Sequence, residues 1–123
     1  MNPTSPYKHI YKLPSIIMVC VIFYLALSAP PETPQPFRWF DKLLHFGAFG
    51  LLSLLFALPG YKIKLYIRML GFPFAYGAAI EIMQFFIPER EADILDWSAD
   101  AIGSLAAFLA VVLLRKLFPG RTN

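Results

Sequence analysis

The chain has 123 residues, of which 58% are hydrophobic, with a formal net charge of +3 and a mean hydropathy of +0.57. This length allows one domain, and the apolar fraction exceeds the roughly 45–50% of soluble domains, which indicates that the chain lies in a lipid bilayer. Its 11 Lys and Arg residues lie at the ends of apolar runs, which excludes a nucleic-acid patch, and the single cysteine, Cys20, excludes an intrachain disulfide or a Cys-based zinc site.

The first apolar run, residues 13–29, follows a basic lead-in over residues 1–12. It starts at Pro14, which a first helical turn tolerates, and is close to the lower limit of about 17 residues for a spanning helix. A basic start, a short apolar core and the sequence Ala-Leu-Ser at 26–28 also fit a cleavable signal peptide. We expect a retained helix, because cleavage would remove a packing partner of the remaining bundle.

The second apolar run, residues 41–59, follows a connection over residues 30–40 that contains four prolines and is expected to be extended. Asp41 is well placed to cap the first turn of this run. The sequence Pro59-Gly60 marks its end. A spanning helix is therefore predicted between the Pro-rich connection and this turn.

The third and fourth apolar runs are residues 68–87 and 95–118, each followed directly by a proline. Small residues recur every four positions in both runs: Gly71, Ala75 and Ala79 in the third, and Ala99, Gly103 and Ala107 in the fourth. Such a smooth face lets two membrane helices approach closely. The pattern predicts that the third and fourth helices pack against each other.

The distribution of Lys and Arg predicts the orientation, because short cytoplasmic connections are enriched in these residues. With the N-terminus in the cytoplasm, the inner side holds Lys8, Lys12, Lys62, Lys64, Arg68, Arg115, Lys116 and Arg121, and the outer side holds Arg38, Lys42 and Arg90. We therefore predict an all-α, four-helix transmembrane bundle of up-down-up-down topology, with both termini cytoplasmic and residues 1–123 forming one domain.

Polar side chains of three predicted helices share one depth in this arrangement, the outer third of the membrane. Within each helix they also share a face, because they are three or four residues apart. The sequence thus predicts a polar pocket that opens to the outer surface. Its candidate residues are Asp41, His45, Glu81, Gln84, Arg90, Asp93, Asp96 and Asp100.

Some of these side chains have simpler roles to weigh. Asp41, Asp93 and Asp96 stand at helix starts, where carboxylates cap backbone N–H groups. His45 also fits a hydrogen-bonded histidine at the membrane interface. The neighbouring Lys42 fits an interfacial lysine that extends its ammonium to the head groups, and it is left out of the predicted pocket.

Glu81 and Asp100 are harder to explain in this way. Each lies within an apolar run, where a carboxyl group must be neutral, paired or hydrated. Arg90 is the nearest predicted counter-charge. We therefore expect both carboxyl groups to face the interior of the bundle.

These residues together resemble the VanZ-like family of small bacterial membrane proteins. The resemblance covers about residues 38–115 and rests on four elements: D-K-x-x-H-F-x-x-F at 41–49, E-x-x-Q at 81–84, Arg90, and D-x-x-D-x-x-x-D at 93–100 followed by Gly103. One position departs from the pattern, because Asp100 stands where relatives often carry Asn. The resemblance implies a multi-pass protein of the bacterial cytoplasmic membrane, in a family whose named member is linked to low-level resistance to the glycopeptide teicoplanin.

The function favoured by these observations is binding or modification of a cell-wall or lipid-linked component at the outer leaflet, with an effect on glycopeptide susceptibility. A lining of acid, amide, imidazole and guanidinium groups suits hydrogen bonds to sugars, peptides or phosphates. This interpretation predicts the lipid bilayer and such a component as partners. It predicts no cofactor and no metal ion, and it leaves the oligomeric state open.

The alternative is a metal-assisted membrane enzyme that acts on a lipid head group. Glu81 or His45 would serve as general base and the aspartates would hold Mg²⁺, which prefers oxygen ligands. The sequence leaves open whether any reaction is catalysed. A proton-coupled transporter is less favoured, because the inner halves of the spans are apolar apart from Ser53 and terminal charges.

Overall fold

The computed structural model describes residues 6–30 and 34–121, and every regular element within these ranges is helical. The four α-helices are α1 (Leu13–Leu27), α2 (Phe40–Phe56), α3 (Phe72–Phe85) and α4 (Ile94–Leu117). Shorter elements are the 3₁₀ helices Pro6–Lys12 and Pro119–Arg121 and a π-helical turn, Ile67–Gly71, before α3. The predicted all-α class with four helices is confirmed. With the π-helical turn counted as part of the third run, each helix begins within one residue of its predicted start.

Two helical segments are long and apolar enough to cross a membrane, His9–Leu27 and Ile94–Leu117. The first combines the 3₁₀ helix with α1, and the second is α4. Part of the Pro-rich connection, residues 31–33, lies outside the described residues. The turn after α2 contains Gly60, which has a φ of 104°. Glycine adopts this positive φ without strain because it has no Cβ.

The irregular start of the third run has a cause in Pro73, which has no N–H to donate to the carbonyl of Met69, four residues earlier. The backbone forms the π-helical turn at this point. Ser53 of α2, which is fully buried, donates its hydroxyl to the Met69 carbonyl at 2.8 Å. A polar residue in an apolar helix thus replaces the donor that the proline lacks.

The most extensive helix contact joins α2 and α4. Gly103 makes this contact close, because a Cβ at this position would overlap the carbonyl oxygen of Phe46 and lie 3.0 Å from its carbonyl carbon. Gly50 faces the same crossing, where its Cβ would lie 3.3 Å from the Gly103 oxygen. The two helices therefore touch backbone to backbone directly after His45, between Phe46 and Gly50 of α2 and Gly103 of α4.

The predicted packing of α3 against α4 is found, but the small residues that suggested it do not make the contact. All three small residues identified on the third run are exposed: Gly71, Ala75 and Ala79. On the fourth run, Gly103 contacts α2 instead. α3 lies close to α4 at Gly77, where a Cβ would lie 3.1 Å from Asp100 Oδ2. Spacing marks a smooth face, but it does not say which neighbour meets that face.

The ends of the helices meet in two groups. At one end, the starts of α2 and α4 are joined by Lys42 and Asp96, and the segment after α3 is joined to the end of α1 by Arg90. At the other end, Tyr61 forms a hydrogen bond with Ser15 of α1. An apolar core that includes Phe49, Leu52, Met69 and Ile80 lies between these two groups.

Candidate functional site

Lys42, in the first turn of α2, lies between three carboxylates. Its Nζ is 2.5 Å from Asp96 Oδ1, 2.8 Å from Asp93 Oδ2 and 3.4 Å from Asp41 Oδ2. Asp93 is also the N-cap of α4, because its Oδ1 accepts a hydrogen bond from the backbone N–H of Leu95 at 2.9 Å. The Lys42 ammonium, together with this N–H, holds the pKa of the Asp93 carboxyl below its usual range. One lysine thus links the first turns of two helices.

His45 lies one turn further along α2 and contacts two aspartates of α4. Its Nδ1 forms a hydrogen bond with Asp100 Oδ1 at 2.8 Å, and its Nε2 lies 3.5 Å from Asp96 Oδ2. Asp41 Oδ1 is also near Nε2, at 3.9 Å. Asp100 is only 1% exposed, and its carboxylate is paired inside the bundle with His45.

Glu81 of α3 reaches the same region. Its Oε2 accepts a hydrogen bond from the backbone N–H of Asp93 at 2.9 Å. Its Oε1 is buried and has no hydrogen-bond partner within the described part of the chain. One oxygen of Glu81 is therefore used to fix the start of α4, and the other is left without a donor.

These contacts define a polar cluster at one end of the bundle. It contains six of the eight predicted residues together with Lys42: Asp41, Lys42, His45, Glu81, Asp93, Asp96 and Asp100. Three separate helices contribute to it, as the shared depth of these residues predicts. Its functional role stays a prediction.

The other two predicted residues lie elsewhere, on the end of α1. Gln84 donates its Nε2–H to the Ala26 carbonyl at 2.8 Å. Arg90 donates from Nε to the Ser28 carbonyl at 2.6 Å and from Nη2 to the Leu25 carbonyl at 2.7 Å. The last carbonyls of a helix have no intrahelical partner, so both side chains cap α1. The prediction that Arg90 is the counter-charge for Glu81 and Asp100 is wrong, because its described hydrogen bonds go to α1 carbonyls.

Lys42 is the residue that sequence reasoning missed. The sequence favours an interfacial lysine at this position, because a basic residue beside a helix start fits that role without any partner. The signal that could have identified it is the imbalance of charge at this depth, where several carboxylates share one end of the bundle with few cations. A lysine one position from Asp41 is the nearest cation on the same helix.

A cavity of about 540 Å³ lies between α3 and α4, beside the polar cluster. We call it the α3–α4 cavity, and it is lined by Ala78, Glu81, Ile82, Phe85, Phe86, Ala92, Asp93, Ile94 and Trp97. Its walls are apolar and aromatic, and its two ionisable residues, Glu81 and Asp93, both belong to the polar cluster.

A second cavity of about 360 Å³ lies further along α4 and is lined in part by Phe74 and Ser104. The ring of Phe74 contacts that of Trp97, with centroids 4.7 Å apart.

Two sets of three side chains could hold a metal ion. Asp41, His45 and Asp96 form one set, and His45, Glu81 and Asp100 form the other; in each, one ligand atom per residue lies within 4.8 Å of the others. Lys42 contacts both carboxylates of the first set, which disfavours a cation there. The second set combines imidazole nitrogen with carboxylate oxygen, a combination that suits Zn²⁺ or Mn²⁺ better than Mg²⁺.

A protein-family model described as VanZ/LLP1 matches residues 4–115 of this chain. The chain belongs to the VanZ/LLP1 family. No curated protein and no solved structure matches it. The resemblance inferred from the polar motifs is thus confirmed, and VanZ/LLP1 membership together with two membrane-compatible helices indicates a membrane protein.

In this VanZ/LLP1 protein, the residues that carried the resemblance divide by role. The motif at 41–49 supplies the α2 side of the polar cluster, the Phe46 backbone that meets Gly103, and Phe49, whose side chain is buried in the apolar core. The motif at 93–100 supplies the α4 side, and Gly103 allows the two helices to touch. Gln84 and Arg90 hold α1 in place.

Proposed function

We propose that this VanZ/LLP1 protein is a four-span protein of the bacterial cytoplasmic membrane that binds a lipid-linked component of the cell envelope at the outer leaflet. The distribution of Lys and Arg supports an up-down-up-down arrangement with both termini in the cytoplasm. That orientation puts the polar cluster and the α3–α4 cavity in the outer part of the membrane.

The observation that carries this proposal is the composition of the α3–α4 cavity. Its walls of Phe85, Phe86, Ile94 and neighbouring apolar side chains suit a hydrocarbon chain, while Glu81 and Asp93 provide a polar end. A purely polar ligand would leave the apolar walls uncovered, and a purely apolar ligand would leave Glu81 Oε1 without a hydrogen-bond donor. An amphiphile satisfies both parts of the cavity.

The test is native mass spectrometry of the protein purified in detergent, which would retain a tightly held lipid. We expect a defined lipid adduct on the wild-type chain that is lost from Ala78→Trp, because the indole fills the cavity. Ala110→Trp is the matched control, since Ala110 is exposed on α4 and lines neither cavity. Equal adducts on all three proteins would contradict binding in this cavity.

We expect a consequence for antibiotic susceptibility, the trait linked to the family's named member. A protein that binds a lipid-linked cell-wall component can alter how much of it a glycopeptide reaches. Expression of the wild-type chain should raise the minimum inhibitory concentration of teicoplanin in a susceptible host, and Ala78→Trp should not. Unchanged susceptibility with well-expressed wild-type protein would contradict this part of the proposal.

A second candidate function, a metal-assisted enzyme acting on a lipid head group, is favoured by the set of His45, Glu81 and Asp100. A divalent ion held there could polarise a phosphoryl or carbonyl oxygen beside the α3–α4 cavity. Elemental analysis of the purified protein, followed by assays on prenyl and phospholipid substrates with and without added Mn²⁺ or Zn²⁺, tests it. Protein that holds no metal and turns over none of these substrates would remove this candidate.

A further inference from the structure

We propose that the head group bound at the α3–α4 cavity carries an ammonium group, and that a bare phosphate is rejected. This inference rests on the proposed function, which it narrows to a class of ligand. The predicted pocket includes the guanidinium of Arg90 and therefore suits a phosphate. In the structure Arg90 binds α1 instead, and several features of the cavity favour a cationic ligand.

Lys42 and Arg90, two cations at this end of the bundle, are already engaged. Lys42 contacts Asp93 and Asp96 at 2.8 and 2.5 Å, and Arg90 donates to two carbonyls of α1. A phosphate would therefore have to displace existing contacts to gain either of them as a partner. The cavity itself offers it two carboxylate residues, Glu81 and Asp93, which repel an anion.

The unused hydrogen-bonding capacity at the cavity is an acceptor. Glu81 Oε1 is buried and has no donor within the described residues. A buried acceptor without a partner is unfavourable, so a ligand that brings a donor removes this cost on binding. An ammonium brings three N–H donors and a positive charge, whereas an ionised phosphate brings acceptors.

The acidic groups and the aromatic side chains around Glu81 also favour a ligand with an ammonium group. The polar cluster contains the carboxyl groups of Asp41, Glu81, Asp93, Asp96 and Asp100, against which stand the ammonium of Lys42 and the imidazole of His45, so acidic groups outnumber basic ones. Trp97, Phe85 and Phe86 line the cavity beside Glu81, and aromatic faces attract cations through their quadrupoles, Trp most strongly. An ammonium at this point faces both carboxylate and aromatic groups.

The test compares two amphiphiles with the same chain, hexadecylammonium and hexadecyl phosphate, for binding to the full chain in phosphatidylcholine nanodiscs. We expect hexadecylammonium to bind about tenfold more tightly or better, the scale of one charge-assisted contact in a partly buried site. Glu81→Gln should remove most of the preference, since an amide keeps the acceptor for the Asp93 N–H but loses the charge. Glu89→Gln, at an exposed neighbouring position, should leave the preference intact.

Two results would overturn the inference. One is equal or tighter binding of hexadecyl phosphate to the wild-type protein, and the other is phosphate binding that appears only with added Mn²⁺ or Zn²⁺, which would favour the metal-assisted alternative. The wild-type comparison needs no variant, so a failure of Glu81→Gln to fold does not affect it. Ala78→Trp separates the two proposals. If both amphiphiles bind the wild type equally and this variant abolishes their binding, only the ammonium preference is refuted. If the variant leaves binding unchanged, the cavity is not the binding site.

Discussion

Lys42 holds the first turns of α2 and α4 together through Asp93 and Asp96. Its removal in Lys42→Met would leave two adjacent carboxylates without their cation, and we expect a loss of stability of about 2 kcal/mol, between the values for exposed and buried ion pairs. The measurement is thermal or denaturant unfolding in a fixed detergent. Lys62→Met, at an exposed position near the other end, should change stability little. Equal destabilisation by both variants would contradict this role.

Asp93 gives the ion pair a defined response to acid. Because Lys42 lowers the pKa of Asp93 in the folded state, the pair's contribution is fully present above the unfolded value of about 3.9 and is lost as the pH falls through the folded value. Asp93→Asn keeps a cap for α4 but removes the charge. The stability difference between wild type and variant should therefore be constant from pH 7 to about 5 and shrink below pH 4. A difference that grows on acidification would show that the sign is wrong.

The residues of the polar cluster could be predicted in part, because charges inside apolar runs and their shared depth are visible in the sequence. Six of the eight predicted residues meet there. Gln84 and Arg90 could not be assigned, since the groups they bind are backbone carbonyls of α1, and any residue type supplies a carbonyl. Lys42 was missed because a lysine at a helix start has an adequate explanation without partners.

At the level of the helices, the contact between α2 and α4 depends on Gly103. Gly103→Ala would force the Cβ into the Phe46 carbonyl, and we expect a loss of roughly 1–3 kcal/mol from overpacking despite the better helix propensity of alanine. Gly47→Ala is the matched control on α2, because nothing lies within 4 Å of its Cβ. That variant should be neutral or slightly stabilising. Unfolding in detergent measures both, and a neutral Gly103→Ala would mean that the helices can separate at little cost.

The attachment of α1 depends on side chains from elsewhere in the chain. Arg90→Ala removes the donors for two carbonyls at its end, and we expect faster amide hydrogen exchange over residues 24–28 with unchanged exchange in α4. Arg38→Ala, a second arginine near the same end of the bundle, should have no such effect. Slow exchange over these residues in Arg90→Ala would indicate that Gln84 and Tyr76, which also bind α1 carbonyls, suffice.

The starts of α1 and α4 were predictable because Pro14 lies in the first turn of α1 and Asp93 caps α4. The expectation that Asp41 caps α2 is wrong, since Asp41 lies within the first turn and Trp39 is the N-cap without a side-chain hydrogen bond.

The contacts between the helices were predictable only in part. The predicted packing of α3 against α4 is present, but Gly71, Ala75 and Ala79 are exposed, and Gly103 meets α2 instead. Packing of this kind depends on the three-dimensional order of the helices, which a repeat within one helix does not encode.

The orientation of the whole molecule is a further prediction. In a Cys20→Ser background, a cysteine introduced by Glu89→Cys should react with a membrane-impermeant maleimide in intact cells, whereas one introduced by Lys62→Cys should react only after permeabilisation. Both positions are exposed. The reason is the excess of Lys and Arg on the side of Lys62. The reverse labelling pattern would place the polar cluster on the cytoplasmic side and rule out a ligand of the outer leaflet.

The hydrogen bond from Ser53 to the Met69 carbonyl has a consequence for movement. It anchors the chain before Pro73 to α2, while the part of α3 beyond Pro73 carries Glu81 and one wall of the cavity. That part of α3 is tied to α4 at two points, by Trp97 Nε1, which donates to the Phe74 carbonyl, and by Glu81, which accepts from the Asp93 N–H. Separation of α3 from α4 would break both hydrogen bonds, so we expect the cavity to keep its width when it is empty.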